Sequence, residues 1–249
     1  MIKIAFHVQK GGTGKTTTTG NIGFEMAKSS RVLMVDGDPQ GNLTSWYCPE
    51  GISYDLADVL QEKIPLKQAI QPIAGISNLD ILGTIAIDGE LKEWSETKLS
   101  GEMYAFHDLL DQIKELGYDA VIFDLSPGMS LLERSILSVM DEIIPVIASE
   151  FFSLDGIEIA ENELQKIRKK MRGNFKADRL VINRLNKSYS SHRGILEELE
   201  KLDYQTYVIG QSTGISDAVL NRMSLSEYDN ENKNLEEYNR LVTDLMGVR

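Results

Sequence analysis

The sequence predicts an α/β fold, a mostly parallel, twisted sheet with helices on both faces. Short apolar runs alternate along the chain with longer stretches of helical period, the pattern that β-α-β units make around a parallel sheet. Several of those runs are apolar at consecutive positions, as central strands covered on both faces require. The first run also passes straight into a glycine-rich loop and then a helical stretch.

The elements follow in order. IKIAFHV at 2–8 is the first strand, and a helix over 16–28 follows its loop. RVLMVD at 31–36 and LDILG at 79–83 are the next strands, with 39–77 reading only as short helices and loops. A helix over 103–116 leads to the strands DAVIFD at 119–124 and EIIPVI at 142–147. A helix over 156–171 precedes the strand RLVIN at 179–183, one over 190–201 precedes YQTYVI at 204–209, and a last helix covers 234–246. No Pro/Gly-rich linker interrupts the 249 residues, which read as one domain, 1–249, large enough to bury a sizeable core.

Hydrophobic residues at 42% and charged residues at 26% match ordinary globular usage and exclude a disordered chain. Cys48 is the single cysteine, so neither an internal disulfide nor a cysteine cluster for zinc or iron–sulfur is available. No run approaches the ~18 consecutive apolar residues of a membrane span. The first apolar run, interrupted by Lys3 and His7, is not a signal peptide. A cytoplasmic protein is therefore expected. The net charge of −12 argues against a surface that coats nucleic acid. Between Lys166 and Arg193, however, ten Lys/Arg face a single acid, Asp178. That cluster has two readings: contacts to DNA phosphates, or cations that a helix C-terminus favours through its dipole.

HVQKGGTGKTTTTGN at 7–21 follows the phosphate-loop pattern G-x-x-x-x-G-K-[ST], except that Gln9 stands at the first glycine. Gly11, Gly12 and Gly14, with Thr13 between them, let backbone N–H groups turn inward around a phosphate, and the helix starting near Lys15 adds its positive end. Lys15 is placed to neutralise β- and γ-phosphates; the Thr16 hydroxyl is placed to bind Mg²⁺, with Thr17 beside it. Lys10 is a second lysine, readable alone as a solvated surface residue. Asp124 ends an apolar strand, where a charge is costly unless it meets solvent, a metal or a hydrogen-bond network. Asp36 and Asp38 flank Gly37 after another strand; alternation points both to one side, though loop carboxylates also cap turns. Asn183 follows the apolar run LVI, and its amide is able to read an adenine edge or to satisfy backbone groups.

KGGTGKTT resembles the deviant Walker loop of the ParA/MinD family of P-loop ATPases. VLMVDGDPQGNLT at 32–44 is similar to the family's second motif, and YDAVIFDLSPG at 118–128 to its Walker B strand and switch. IIPVIASEFFSLDGI at 143–157 and VINR at 181–184 match in order and spacing, so the resemblance covers most of the chain. It implies a Mg²⁺-dependent ATPase that forms a homodimer with ATP and acts in DNA partition with a ParB-type centromere-binding partner. It further implies that Lys10 reaches the partner's nucleotide and that Asp38 positions the attacking water. Asp36 and Asp38 join Thr16 and Asp124 around the metal, and Asn183 with Arg184 lies at the adenine.

Two departures from the family stand out. Ser126 replaces the first of two switch prolines, leaving Pro127. In VIGQSTGISDAVLNRMSLSEYD at 208–229, Gln211 and Gly214 stand where chromosomal partition ATPases place arginines against DNA, which leaves nonspecific DNA to the Lys166 to Arg193 cluster. The first strand begins at Ile2, so no helix-turn-helix extension and no direct transcriptional control are expected. A MinD-like membrane switch needs a basic amphipathic C-terminal helix. Here Leu235, Tyr238, Leu241, Val242 and Leu245 share a face, but Glu236, Glu237 and Asp244 oppose only Arg240 and Arg249, so no membrane is expected. A reductase resembling the nitrogenase iron protein lacks its cysteines. A nucleotide-gated interaction module with little turnover is the remaining alternative, kept open by Ser126.

Overall fold

The central strands are buried at consecutive positions, and the alternating direction of their side chains sorts the core into two layers. The computed structural model describes residues 1–7, 10–149, 154–186, 189–199 and 201–247. Among them the strands are β1 (Ile2–His7), β2 (Val32–Gly37), β3 (Ile70–Pro72), β4 (Leu79–Leu82), β5 (Ala120–Leu125), β6 (Glu142–Ala148), β7 (Arg179–Leu185) and β8 (Gln205–Gly210). They form one sheet in the order β3-β4-β2-β5-β1-β6-β7-β8, parallel at every pairing except β3 with β4. The expected α/β architecture is therefore present, each expected strand lying within two residues of its place; Val8 falls outside the described residues.

The helices are α1 (Lys15–Ala27), α2 (Asn42–Tyr47), α3 (Leu56–Leu60), α4 (Leu66–Ala69), α5 (Leu91–Thr97), α6 (Ala105–Glu115), α7 (Leu131–Ser138), α8 (Leu154–Met171), α9 (Ser190–Leu199), α10 (Thr213–Leu220), α11 (Leu225–Tyr228) and α12 (Asn234–Met246). Successive strand residues face opposite ways. Leu33, Val35, Val121 and Phe123 pack with Trp94, Phe106, Leu132 and Leu164 on one face. Val32, Met34, Ala120 and Ile122 pack with Ile22, Met26, Trp46 and Tyr238 on the other. The same alternation carries Asp36 and Asp124 to the α1 side.

The segment 39–77, unreadable in detail from sequence, holds α2, α3, α4 and β3. Each is too short for periodicity to register. The last helix matches its expected bounds. Its apolar residues Leu235, Tyr238, Leu241 and Leu245 are buried within the core layer that contains α1. The face a membrane reading would need is thus spent inside the fold. No helix among the described residues is long and apolar enough to cross a membrane.

Candidate nucleotide-binding site

Parallel register brings the carboxyl ends of β1, β2 and β5 side by side, with Asp36 opposite Asp124 and Phe6 opposite Asp124. The glycine loop joins this edge to α1. Gly14 caps α1 at φ 85°, a left-handed conformation that suits glycine. A Cβ on Gly14 would also lie 2.6 Å from Asn183 Nδ2. That approach is used: the Asn183 amide donates to Thr13 O at 3.0 Å and to Thr18 Oγ1 at 3.2 Å. Asn183 therefore ties the loop to the end of β7, satisfying a backbone carbonyl as the second of its two sequence readings allows.

Lys15 is 5% exposed and its ammonium lies 2.6 Å from Asp124 Oδ1. Thr16 Oγ1 donates to Asp124 Oδ2 at 2.7 Å, and Thr19 Oγ1 to Oδ1 at 3.1 Å. Thr19 was missed in the sequence, although its spacing of four from Lys15 places both on one face of α1. Asp36 is fully buried and accepts from Thr44 N at 2.8 Å, Thr44 Oγ1 at 2.7 Å and Asp38 N at 3.3 Å. Burial, followed by the facing Asp124 charge, pushes Asp36 up to about 7. Asp36 thus shapes the turn through Thr44 and the Asp38 backbone, whereas the Asp38 carboxylate borders the cleft. Asp38 Oδ1 accepts from Gln40 N at 2.9 Å, and burial raises its proton affinity. His7 ends β1 with both ring nitrogens buried and without a hydrogen-bond partner; burial and then Lys15 hold it down to about 4.

A cleft of about 380 Å³ is lined by residues 11–17 together with Asp38, Asn42, Trp46, Pro127 and Arg184. Trp46 reaches it because Gly20 has no side chain: a Cβ there would sit 2.3 Å from the indole. A second cleft of about 600 Å³ shares Gly14, Thr17, Arg184 and Val219 and runs past Asn183, Gln211, Ile215 and Tyr238. Arg184, exposed and at φ 58°, sits within the β7–β8 register shift between Ile182 and Leu185, and Ser149 Oγ donates to its carbonyl at 3.0 Å. Such bulges re-aim side chains at strand ends. Lys10 is exposed at the mouth of the loop.

The edge therefore holds a loop of backbone N–H groups, a helix N-terminus, a lysine, and hydroxyl and carboxylate oxygens. Those are the donors that anionic phosphates and a hard cation require. The 166–193 window is less unified. Lys176 and Arg179 pair with Glu142, Arg168 stacks on Phe175, and Arg184 belongs to the cleft. Lys166, Lys169, Lys170 and Arg172 remain exposed around the C-terminal end of α8. Lys187 lies outside the described residues.

A strand, glycine loop and helix with lysine and threonine on a strand-end aspartate define a P-loop nucleotide-binding protein. Residues 1–177 match the protein family described as AAA domain. The chain is 34% identical, over 97% of its length and 98% of the relative's, to the uncharacterized protein BBD21 of Borreliella burgdorferi. It is 28% identical to the sporulation initiation inhibitor protein Soj of Bacillus subtilis, over 97% of each chain. It belongs to the ParA/MinD family of P-loop ATPases. Apo McdA of Cyanothece shares the fold with a TM-score of 0.83 at 20% identity, covering 99% of this chain and 100% of that one. A putative plasmid partition protein from Borrelia burgdorferi, bound to AMPPNP, has a TM-score of 0.77 at 20% identity, covering 96% and 99%.

Proposed function

We propose that this chain is a Mg²⁺-dependent ATPase whose nucleotide state switches a homodimer, acting as one domain in DNA partition. The observation that carries the reading is the convergence of Lys15, Thr16 and Thr19 on Asp124 beneath the glycine loop. A triphosphate in the loop gives Lys15 phosphate oxygens as partners in place of Asp124. Bound Mg²⁺ neutralises phosphate charge, and Thr16 and Asp124 supply the oxygen donors that would hold it. Asp38 faces the same cleft with a raised proton affinity, which suits a group that orients a water and takes its proton. Lys10, at the exposed mouth, serves the partner's nucleotide.

Relatives named as chromosome partitioning protein ParA, such as that of Caulobacter vibrioides at 28% identity over 80% of this chain, support partition and a ParB-type partner. Structural neighbours bound to AMPPNP or to Mg-ADP support the ligands. Nonspecific DNA contact falls to the exposed end of α8, because Gln211 and Gly214 offer no cation.

Asp38→Ala should keep ATP affinity while turnover falls by roughly 10²-fold or more; normal hydrolysis overturns the role. For Lys10, a heterodimer of Lys10→Ala with a subunit unable to bind ATP separates trans from cis. The remaining nucleotide sits in the mutant's loop and faces an intact Lys10 from the partner. Retained hydrolysis supports action across the interface, and a dead site in a verified dimer excludes it. Absence of turnover in the parent, with ATP bound and DNA and partner added, favours the nucleotide-gated interaction module.

A further inference from the structure

The passage from β5 into α7 contains two residues that the site above leaves unused, Ser126 in the connecting loop and Glu133 in the first turn of α7. Glu133 is 2% exposed, and both of its oxygens are taken. Ser126 Oγ donates to Oε1, and Ser130 N donates to Oε2 at 2.7 Å. One buried carboxylate thus holds both ends of the loop 126–130. The loop needs such a tie: it has one proline, Pro127, and Gly128 at φ 114°, whose backbone freedom weakens the turn. Asp38, Ser126, Pro127 and Glu133 border a common groove of about 480 Å³. A loop released from Glu133 would change the wall that Asp38 faces. Of residues 126–130 only Pro127 also borders the phosphate cleft, while the backbone N–H groups of 11–17, Lys15 and Thr16 that form the cradle belong to the loop before α1 and to α1 itself.

We propose that Ser126 and Glu133 form a latch that holds the loop after β5 in place beside Asp38, making Glu133 a positioning residue for turnover and not for nucleotide affinity. The latch supplies through a part-buried hydrogen bond the rigidity that a proline at 126 would supply through its ring. The proposal rests on the ATPase reading, and the test separates the two.

The experiment is a double-mutant cycle with Ser126→Ala and Glu133→Met, the latter keeping the buried volume of α7 while removing both acceptors. Hydrogen exchange over 125–133 is followed without nucleotide, and kcat and ATP Kd are measured with it. Each single variant should raise exchange in the loop and lower kcat, both by roughly tenfold. ATP Kd should stay within about twofold, and the double variant should be no worse than either single one. Ser126→Pro in the Glu133→Met background should restore kcat. Additive losses, unchanged exchange, an ATP Kd that rises as kcat falls, or no rescue by proline would overturn the latch. If Glu133→Met does not fold, Ser126→Ala against Ser126→Pro in the parent decides: loss with alanine and retention with proline support the latch, and equal behaviour refutes it. A parent without turnover sinks the ATPase reading, while the exchange arm still judges the latch.

Discussion

The two edges of the sheet hold their charges differently. At the carboxyl ends three buried carboxylates, Asp36, Asp38 and Asp124, surround one buried lysine, Lys15. At the amino ends ions meet as neighbouring pairs: Lys3 with Asp141, Arg31 with Asp80, and Arg179 with Glu142. Paired charges at a sheet edge serve the fold. An excess of buried acid around a single cation costs stability unless a bound cation completes it. The contrast separates a site from a scaffold using one sheet as its own control.

The largest expected break is at the carboxyl edge. Lys15→Ala should lower ATP affinity by roughly two orders of magnitude or more, about 3 kcal/mol for a desolvated charged contact; calorimetry that finds near-parental affinity removes the loop assignment. The mirror test is Arg179→Met, which removes the hydrogen-bonded partner of the buried Glu142 and leaves it only the exposed Lys176 ammonium at 3.7 Å. Denaturant unfolding should show a loss of about 1–3 kcal/mol, with ATP affinity unchanged. A nucleotide effect there would dissolve the distinction between the edges.

A smaller change tests the end of α8. Reversing Lys169 and Lys170 to Glu should flatten the salt dependence of ATP-dependent DNA binding by about one log-log unit per lost phosphate contact. An unchanged slope assigns those lysines to the helix dipole alone.

The smallest effect sharpens the electrostatics. His7 is held down to about 4 from 6.5, so its contribution to stability is present above 6.5 and lost as pH falls toward 4. Asp36 is pushed up to about 7 from 3.8, so its contribution is present below 3.8 and lost as pH rises toward 7. The two slopes oppose each other across the same window. His7→Leu should leave stability falling with pH between about 4 and 7, and Asp36→Asn should leave it rising, each by at most ~1.4 kcal/mol per pH unit. Parental slopes in both variants would show that neither group titrates in that range.

The loop and the acids were legible for a local reason. Residues 11–17 work as one contiguous turn, and Asp124 and Asp36 end apolar strands, so spacing alone marked them. Glu133 was not legible: in SLLERSIL it reads as a helix-cap acid, and only the path of the chain from β5 into α7 sets it against Ser126. The basic window shows the opposite failure. Ten cations adjacent in sequence looked like one surface, but β7 runs through the window and carries Arg179 and Arg184 to opposite edges of the sheet.

By itself the sequence determined the order of the seven parallel strands and the five longest helices, the phosphate loop and the family, because periodicity, glycine placement and motif spacing are short-range properties of the chain; β3, α5, α7, α10 and α11 were not read from it. Tertiary structure alone decided the neighbours. It set Asp36 across from Asp124, brought Asn183 from 170 positions away in the chain onto Thr13, and aimed Glu133 at the switch. Strand order and the crossing of helices over the sheet settle which distant residues meet, and those pairings leave no period in the sequence to read.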